Sequence, residues 1–320
     1  MEEKLLYHYC PTEKCFAILD SKNLRMSDIG KSNDYTELSL LFPAIFDELE
    51  NLYRDTPFNF EYDQHYNLDA MLLFLNQTYR YWDQQFFAGA FYNYVICFSE
   101  DPDSLSQWRG YADDAKGCAI GFSKDLIQQY CDNTNGVLEL AKITYLKDAD
   151  IDDLTYRAAS KILNELKSLR KIVVNNFTRN NLSPETDIWM KKLFNYKLEA
   201  AFIDSLRYKA YAFHEEQEWR IFLKLAPPKA DLASISPKDV AIEGLYQKTV
   251  RFIQERIDFS YKEDDVISFC PIRFEEFEQN PVKQLWLGPK NKARINDIDL
   301  YMKKNNYNNV NLRGSFITYR

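Results

Sequence analysis

An α+β fold, with a mixed, mainly antiparallel sheet and flanking helices, is what this sequence predicts. Two observations lead there. Short runs rich in β-branched and aromatic residues, such as "YNYVICFSE" (92–100), "EWRIFLKL" (218–225) and "DVISFCPIRF" (265–274), recur between turn-forming residues and read as strands. Between them lie stretches whose apolar residues repeat at spacings of three and four, and the two kinds of segment alternate irregularly, not as repeated strand–helix units.

In order, "KLLYHYC" (4–10) reads as the first strand, and Pro11-Thr12 opens a helix over "EKCFAILDSKNL". "RMSDIGKSNDYTEL" gives a short strand and a polar loop. Asp34 is a candidate N-cap for a helix over 35–53, which Pro43 is expected to break or kink. Residues 54–67 read as a loop and 68–88 as a helix. After the strand at 92–100, "DPDSLSQWRGYADD" caps and forms a short helix that ends in the turn "ADDAKG". "KGCAIGF" follows as a strand whose Gly117 and Gly121 permit close backbone approach, and "VLELAKITYL" as another. Ile151, Leu154, Ala158, Ile162, Leu166, Leu169 and Val173, then Trp189, Leu193, Tyr196, Ala200 and Ile203, make an amphipathic helical hairpin. That hairpin is read as an insertion over about 150–212 in a single domain spanning 1–320. The strands "EWRIFLKL", "DVISFCPIRF" and "VKQLWLGP" and a helix over "KARINDIDLYMKKNN" complete the chain.

Of the 320 residues, 46% are hydrophobic and 28% charged, a globular balance, and the net charge of −8 argues against an extended nucleic-acid groove. No apolar run approaches the roughly 20 residues that cross a bilayer. The acidic start "MEEKLLYHYC" lacks the pattern of a secretory leader, so a cytoplasmic location is expected. The six cysteines form no CxxC pair and read as reduced thiols. His8, Cys10 and Cys15 lack the second Cys/His pair of a zinc site, and no metal is expected.

The stretch "FHEEQEWRIFLKL" (213–225) raises the functional question. Strand alternation puts Trp219, Ile221, Leu223 and Leu225 on one face and Glu216, Glu218, Arg220 and Phe222 on the other. Two carboxylates and a guanidinium then sit together, as a solvated ion-pair face or as the polar corner of a pocket. Three further clusters stand beside it: Tyr7-His8-Tyr9; Asn33, Asp34 and Glu37; and Ser104, Trp108, Tyr111, Asp113 and Lys116-Gly117. Each has a plain structural account, as a histidine packed in a strand, a helix cap, or aromatics over a sheet edge.

Taken in order, "LYHY", "SNDYTE", "CFSEDPDSLSQWRGYADDAKGCAIGF", "FHEEQEWRIF", "LWLGPKN" and "SFITYR" resemble an uncharacterised bacterial family, domain of unknown function twenty-nine seventy-one. The resemblance runs from Leu6 to Arg320 and departs at Tyr35, where proline is common. It implies a place in bacterial antiviral defence or toxicity; a macromolecular target or regulatory partner is expected, and no membrane. The early His-Tyr and the late Glu-x-Glu also resemble the ADP-ribosyltransferase arrangement. That likeness implies NAD as substrate, with Glu218 on the nicotinamide ribose and Glu216 on the acceptor side. His8 and Tyr9, with the Asn33-Asp34 loop, would hold the adenosine side, Trp108 or Tyr111 would stack on a ring, and Arg220 would pair with Glu218 or a phosphate. Under it, Glu218→Gln is expected to remove activity and leave stability nearly unchanged. Two alternatives stand: a non-catalytic nucleotide-sensing or protein-interaction module using the same pocket, and a helical-type ribonuclease using Arg207 and His214.

Overall fold

The computed structural model describes residues 3–31, 41–55, 80, 92–176, 203–225, 240–262 and 265–319. The first elements are β1 (Leu5–Cys10), α1 (Thr12–Ser21), β2 (Asn23–Asp28) and α2 (Phe42–Asp55). There follow β3 (Tyr94–Ser99), α3 (Leu105–Tyr111), β4 (Cys118–Ser123), α4 (Lys124–Asn133), β5 (Leu138–Lys142), β6 (Thr144–Leu146) and α5 (Asp148–Asn176). The C-terminal part holds β7 (Tyr208–Ala210), β8 (Glu218–Leu223), α6 (Val240–Arg256), β9 (Asp258–Lys262) and β10 (Asp265–Arg273). It closes with β11 (Val282–Leu287), α7 (Ile295–Lys304) and β12 (Asn311–Gly314).

The large sheet runs β12-β11-β4-β1-β3-β2-β10-β9, with β8 pairing β3 and β5 pairing β8. All its ladders are antiparallel except β11 with β12, and β6 and β7 form a separate parallel pair. This is an α+β fold on a mixed, mostly antiparallel sheet.

Alternation along the strands builds two cores. On one face Leu6, Cys10, Phe98, Ile120 and Ile221 meet Leu19 of α1, Ile127 of α4, Ile253 of α6 and Ile298 of α7. On the other, Val95 and Phe222 meet Leu49 of α2 and Ile162 of α5, while Tyr7, Tyr9 and Ala119 meet Trp108 of α3. Burial on both sides explains why β4 lacks the polar alternation of a half-solvated strand.

One irregularity positions the site. β8 occupies one edge of β3 along Val95–Ser99, but the opposite edge is shared. β1 holds it only at Tyr7↔Ser99, and β2 only at Ser27↔Val95 and Asp28↔Tyr94. Around Cys97 the strands have parted, and a gap opens in the sheet.

Several expectations change. Pro43 lies in the first turn of α2 and does not break it, because an amide N–H there has no intrahelical acceptor to lose. The helix from Thr12 stops at Lys22, in the left-handed region at φ 52°, so Asn23 and Leu24 join β2. "VLELAKITYL" divides into β5 and β6. The first limb of the helical insertion is α5, but residues 208–216 are β7 and a 3-10 turn, so helix does not extend to 212. The Asp34 cap, the loop at 54–67, the helix expected over 68–88 (residue 80 apart) and the second limb up to residue 202 lie outside the described residues. Among the described residues, no helix is long and apolar enough to cross a membrane.

Gly117 tests the close packing of β4 on β1. A Cβ there would stand 2.2 Å from the Cys10 carbonyl oxygen and 2.9 Å from Ala112 Cα, both backbone atoms. Gly117→Ala is expected to lower stability in urea by roughly 1–3 kcal/mol or more. Gly110→Ala, where a Cβ would meet nothing within 4 Å, is expected to raise it by about 0.5–1 kcal/mol, because Gly110 lies inside α3. Equal unfolding midpoints for the two variants would contradict this packing.

Candidate functional site

The charged end of β8 is buried. Gln217 takes a left-handed conformation (φ 44°), which separates Glu216, the last residue of a 3-10 turn, from Glu218, the first residue of β8. Glu218 is 4% exposed and Arg220 1%. Neither belongs to a solvated ladder, because β8 has neighbours on both edges and helices over the face they share with Phe222.

The chemistry of that end is a buried ion cluster. Arg220 Nε donates to Glu218 Oε1 at 2.5 Å and Nη2 to Oε2 at 2.9 Å, a bidentate pair, while Nη1 reaches the Leu206 carbonyl at 3.2 Å. Lys209 of β7, wholly buried, donates from Nζ to Glu218 Oε2 at 3.3 Å and also to Glu216 Oε2. The Tyr111 hydroxyl donates to Glu216 Oε1 at 3.1 Å, and the Glu218 N–H donates to the Tyr145 hydroxyl at 2.8 Å. Among the described residues two carboxylates face two cations, so these four charges balance. Burial opposes the charge on Glu218, but Arg220 and then Lys209 outweigh it and hold the carboxyl below its ordinary range.

Above this cluster lies a cavity of about 60 Å³ lined by Tyr7, His8, Tyr9, Cys97, Phe98, Gln107, Tyr111, Glu216 and Glu218. Alternation assigns His8 to the face of Leu6 and Cys10, opposite Glu218. The ring nonetheless reaches the cavity, because it enters the gap where β1 leaves β3 and bonds the Cys97 carbonyl through Nδ1 at 3.0 Å. A carbonyl only accepts, so Nδ1 carries the proton. Burial lowers the His8 pKa against the partial support of that bond, so the ring is neutral near pH 7 and Nε2 keeps its lone pair. Gln107 is 7% exposed, faces the cavity, and makes no hydrogen bond to a described residue. Its amide offers a donor and an acceptor to whatever enters.

The expected site residues therefore separate. His8, Tyr9, Tyr111, Glu216 and Glu218 meet at one cavity, and Arg220 stands behind Glu218 as its counter-ion. Trp108 is fully buried and braces the wall instead of stacking on a ligand. Its ring meets Tyr9 edge-on at 4.7 Å, and its Nε1 donates to Asp103 Oδ1 at 2.7 Å. Asn33 and Asp34 lie outside the described residues. Arg207 and His214 do not line the cavity. Arg207 pairs with both oxygens of Glu139 and, at 2.9 Å, with Asp204, while His214 stacks on Tyr211 on an exposed turn. Cys10 and Cys15 are free buried thiols, and among the described residues no group of three or more His, Cys, Asp or Glu is placed to hold a metal ion. Lys209 escaped the sequence reading because "RYKAY" passed for a helix end, and Gln107 because a lone glutamine carries no pattern.

The motif after α3 braces the cavity wall. Asp113, Asp114 and Ala115 all have positive φ (49°, 49° and 69°), a costly run for residues with side chains. Ala115 N–H to the Trp108 carbonyl (2.8 Å) and Gly117 N–H to the Ala112 carbonyl (2.8 Å) close the turn. Asp114 receives Lys290 (2.7 Å) and the Tyr319 hydroxyl (2.8 Å). Asp103 accepts from the Ser315 hydroxyl (2.6 Å) and the Phe316 N–H (2.8 Å). The segment after β12 thus clamps the helix that carries Gln107 and Tyr111.

A family model described as a protein of unknown function (DUF2971) matches residues 107–221. That stretch begins at Gln107 and ends within β8, so it holds Tyr111, Lys209, Glu216, Glu218 and Arg220 but not His8. No curated protein and no solved structure matches the chain, so the ADP-ribosyltransferase likeness gains no support from these comparisons.

The ion cluster changes what Glu218→Gln does. The substitution leaves two buried cations short of a partner, so stability at neutral pH is expected to fall by about 3–5 kcal/mol and not to stay nearly unchanged. The carboxyl's pKa is lower folded than unfolded, so its contribution is present above the unfolded value and lost as pH falls through the folded one. Urea midpoints measured downward from pH 7 should decline for wild type below its unperturbed value of 4.5, and decline less for Glu218→Gln. Parallel pH profiles would contradict the assignment.

Proposed function

We propose that the cavity receives the nicotinamide–ribose end of NAD and that the protein cleaves the bond between them, acting in defence or toxicity. The observation that carries this reading is one cavity lined by a neutral imidazole, an amide with no hydrogen bond to a described residue, and two carboxylates, at a gap in the sheet. At about 60 Å³ it is smaller than the roughly 150 Å³ that holds a benzene ring, so a ring enters fully only when the walls move, and the rest of the dinucleotide stays outside.

The roles follow from the contacts. As the glycosidic bond breaks, its electron pair leaves with nicotinamide and positive charge develops on the ribose. An ionised carboxylate already fixed beside it stabilises that charge without reorganising. Glu218 is fixed in this way by Arg220 and Lys209. Glu216, with a side chain 12% exposed, stands nearer solvent and takes the proton of the incoming water or acceptor hydroxyl. His8 accepts a ribose hydroxyl at Nε2, and Gln107 orients the leaving ring.

The satisfaction of both Glu218 oxygens by Arg220 and Lys209 also favours a second reading, a nucleotide-sensing module in which the cluster is architecture. The ribonuclease alternative has less support, because Arg207 is committed to Glu139 and Asp204.

Nicotinamide release from NAD and calorimetric NAD binding test both readings. Catalysis predicts release by wild type and a loss on the order of a hundredfold in Glu216→Gln, measured below that variant's own melting temperature, which falls because buried Lys209 loses one of its two carboxylates. Binding without release favours the sensor, and absence of both overturns the two together.

A further inference from the structure

The far edge of the sheet carries a second feature, independent of the cavity. β9 is the terminal strand in the sheet order and pairs only with β10 among the described residues. It presents Tyr261 at 81% exposure and Phe259 at 49%, with Val266 of β10, opposite Tyr261, at 54%. The Phe259 N–H bonds the Asp258 carboxylate (2.8 Å), so it faces outward and is not tied to β10. Open edges with apolar side chains invite pairing with another strand.

The sequence of the edge says which strand fits. Asp258-Phe259-Ser260-Tyr261-Lys262 is complementary to itself when read antiparallel about Ser260. Asp258 then faces Lys262 of the second strand, Phe259 faces Tyr261, and Ser260 meets its own copy on the axis. Residues of the same parity as the outward-facing Phe259 N–H, Phe259 and Tyr261, would exchange the new backbone hydrogen bonds. Phe259 and Tyr261 from both copies, flanked by each Val266, would close over one another on one face. In register, Lys262 stands opposite Asp265 of its own chain and would stand opposite Asp258 of the copy. Opposite charges directly across an antiparallel pair stabilise it and like charges destabilise it.

We propose that this edge is a homodimer interface, joining two copies of the chain through antiparallel β9 strands into one continuous sheet. An isologous pairing uses the same edge of both copies, so assembly through this edge stops at two.

Sedimentation velocity on the full chain across a dilution series tests it. Wild type is expected to dimerise. Lys262→Asp and Asp258→Lys each place like charges opposite one another and should weaken association at least tenfold, whereas the double exchange should restore it. Tyr261→Asp, at a position 81% exposed, should also yield monomer without loss of melting temperature. A monomeric wild type, as expected if the edge serves an extended segment of another protein, overturns the proposal. So does a dimer that survives Tyr261→Asp and the single exchanges, or a double exchange that fails to restore association while its thermal melt matches wild type.

Discussion

The buried contact of Arg220 with Glu218, completed by Lys209, is the constraint on which the rest of the site depends. Withdrawing these charges from water costs several kcal/mol per ion, and their attraction repays that cost only with good geometry and full hydrogen bonding. Both conditions are met, since the guanidinium binds two carboxylate oxygens and a backbone carbonyl. Apolar residues of similar volume would often fill such a place equally well. Stability alone therefore does not account for the cluster. What it provides is position: it ties β8 to β7 and to the turn that holds Glu216 under Tyr111.

A second constraint acts through the sheet. Two strands that stayed paired along their length would leave no room for a side chain between them. β1 meets β3 at one residue pair, and nearby the Cys97 carbonyl accepts from the His8 ring. The ring thus becomes part of a cavity wall that faces the carboxylates. The terminal segment, held by Asp103 and Asp114, keeps the opposite wall in place.

Strands β1, β3, β4, β8, β10 and β11 were legible in the sequence because β-branched and aromatic runs carry their own signal. α6, β9 and β12 were not, since their residues lack a clean period and their pairing is set by distant partners. Glu216, Glu218 and His8 could be singled out from residue type and spacing. The burial of Glu218 could not, because alternation shows that Glu218 and Arg220 share a face but not that the face is covered. Only tertiary packing reveals that β8 has a neighbour on each edge and a lysine beneath it. His8 shows the limit from the other side, since strict alternation would have placed it away from the carboxylates.

The central claim is that a neutral His8 imidazole, protonated at Nδ1, faces the same ligand as the carboxylates. Nitrogen-15 NMR of the histidine rings, titrated with pH and with NAD, reads this directly. The account predicts a His8 ring with Nε2 unprotonated at pH 7, a midpoint below the ordinary 6.5, and an Nε2 resonance that moves on addition of NAD. A ring that titrates at or above 6.5 and ignores saturating NAD would contradict it.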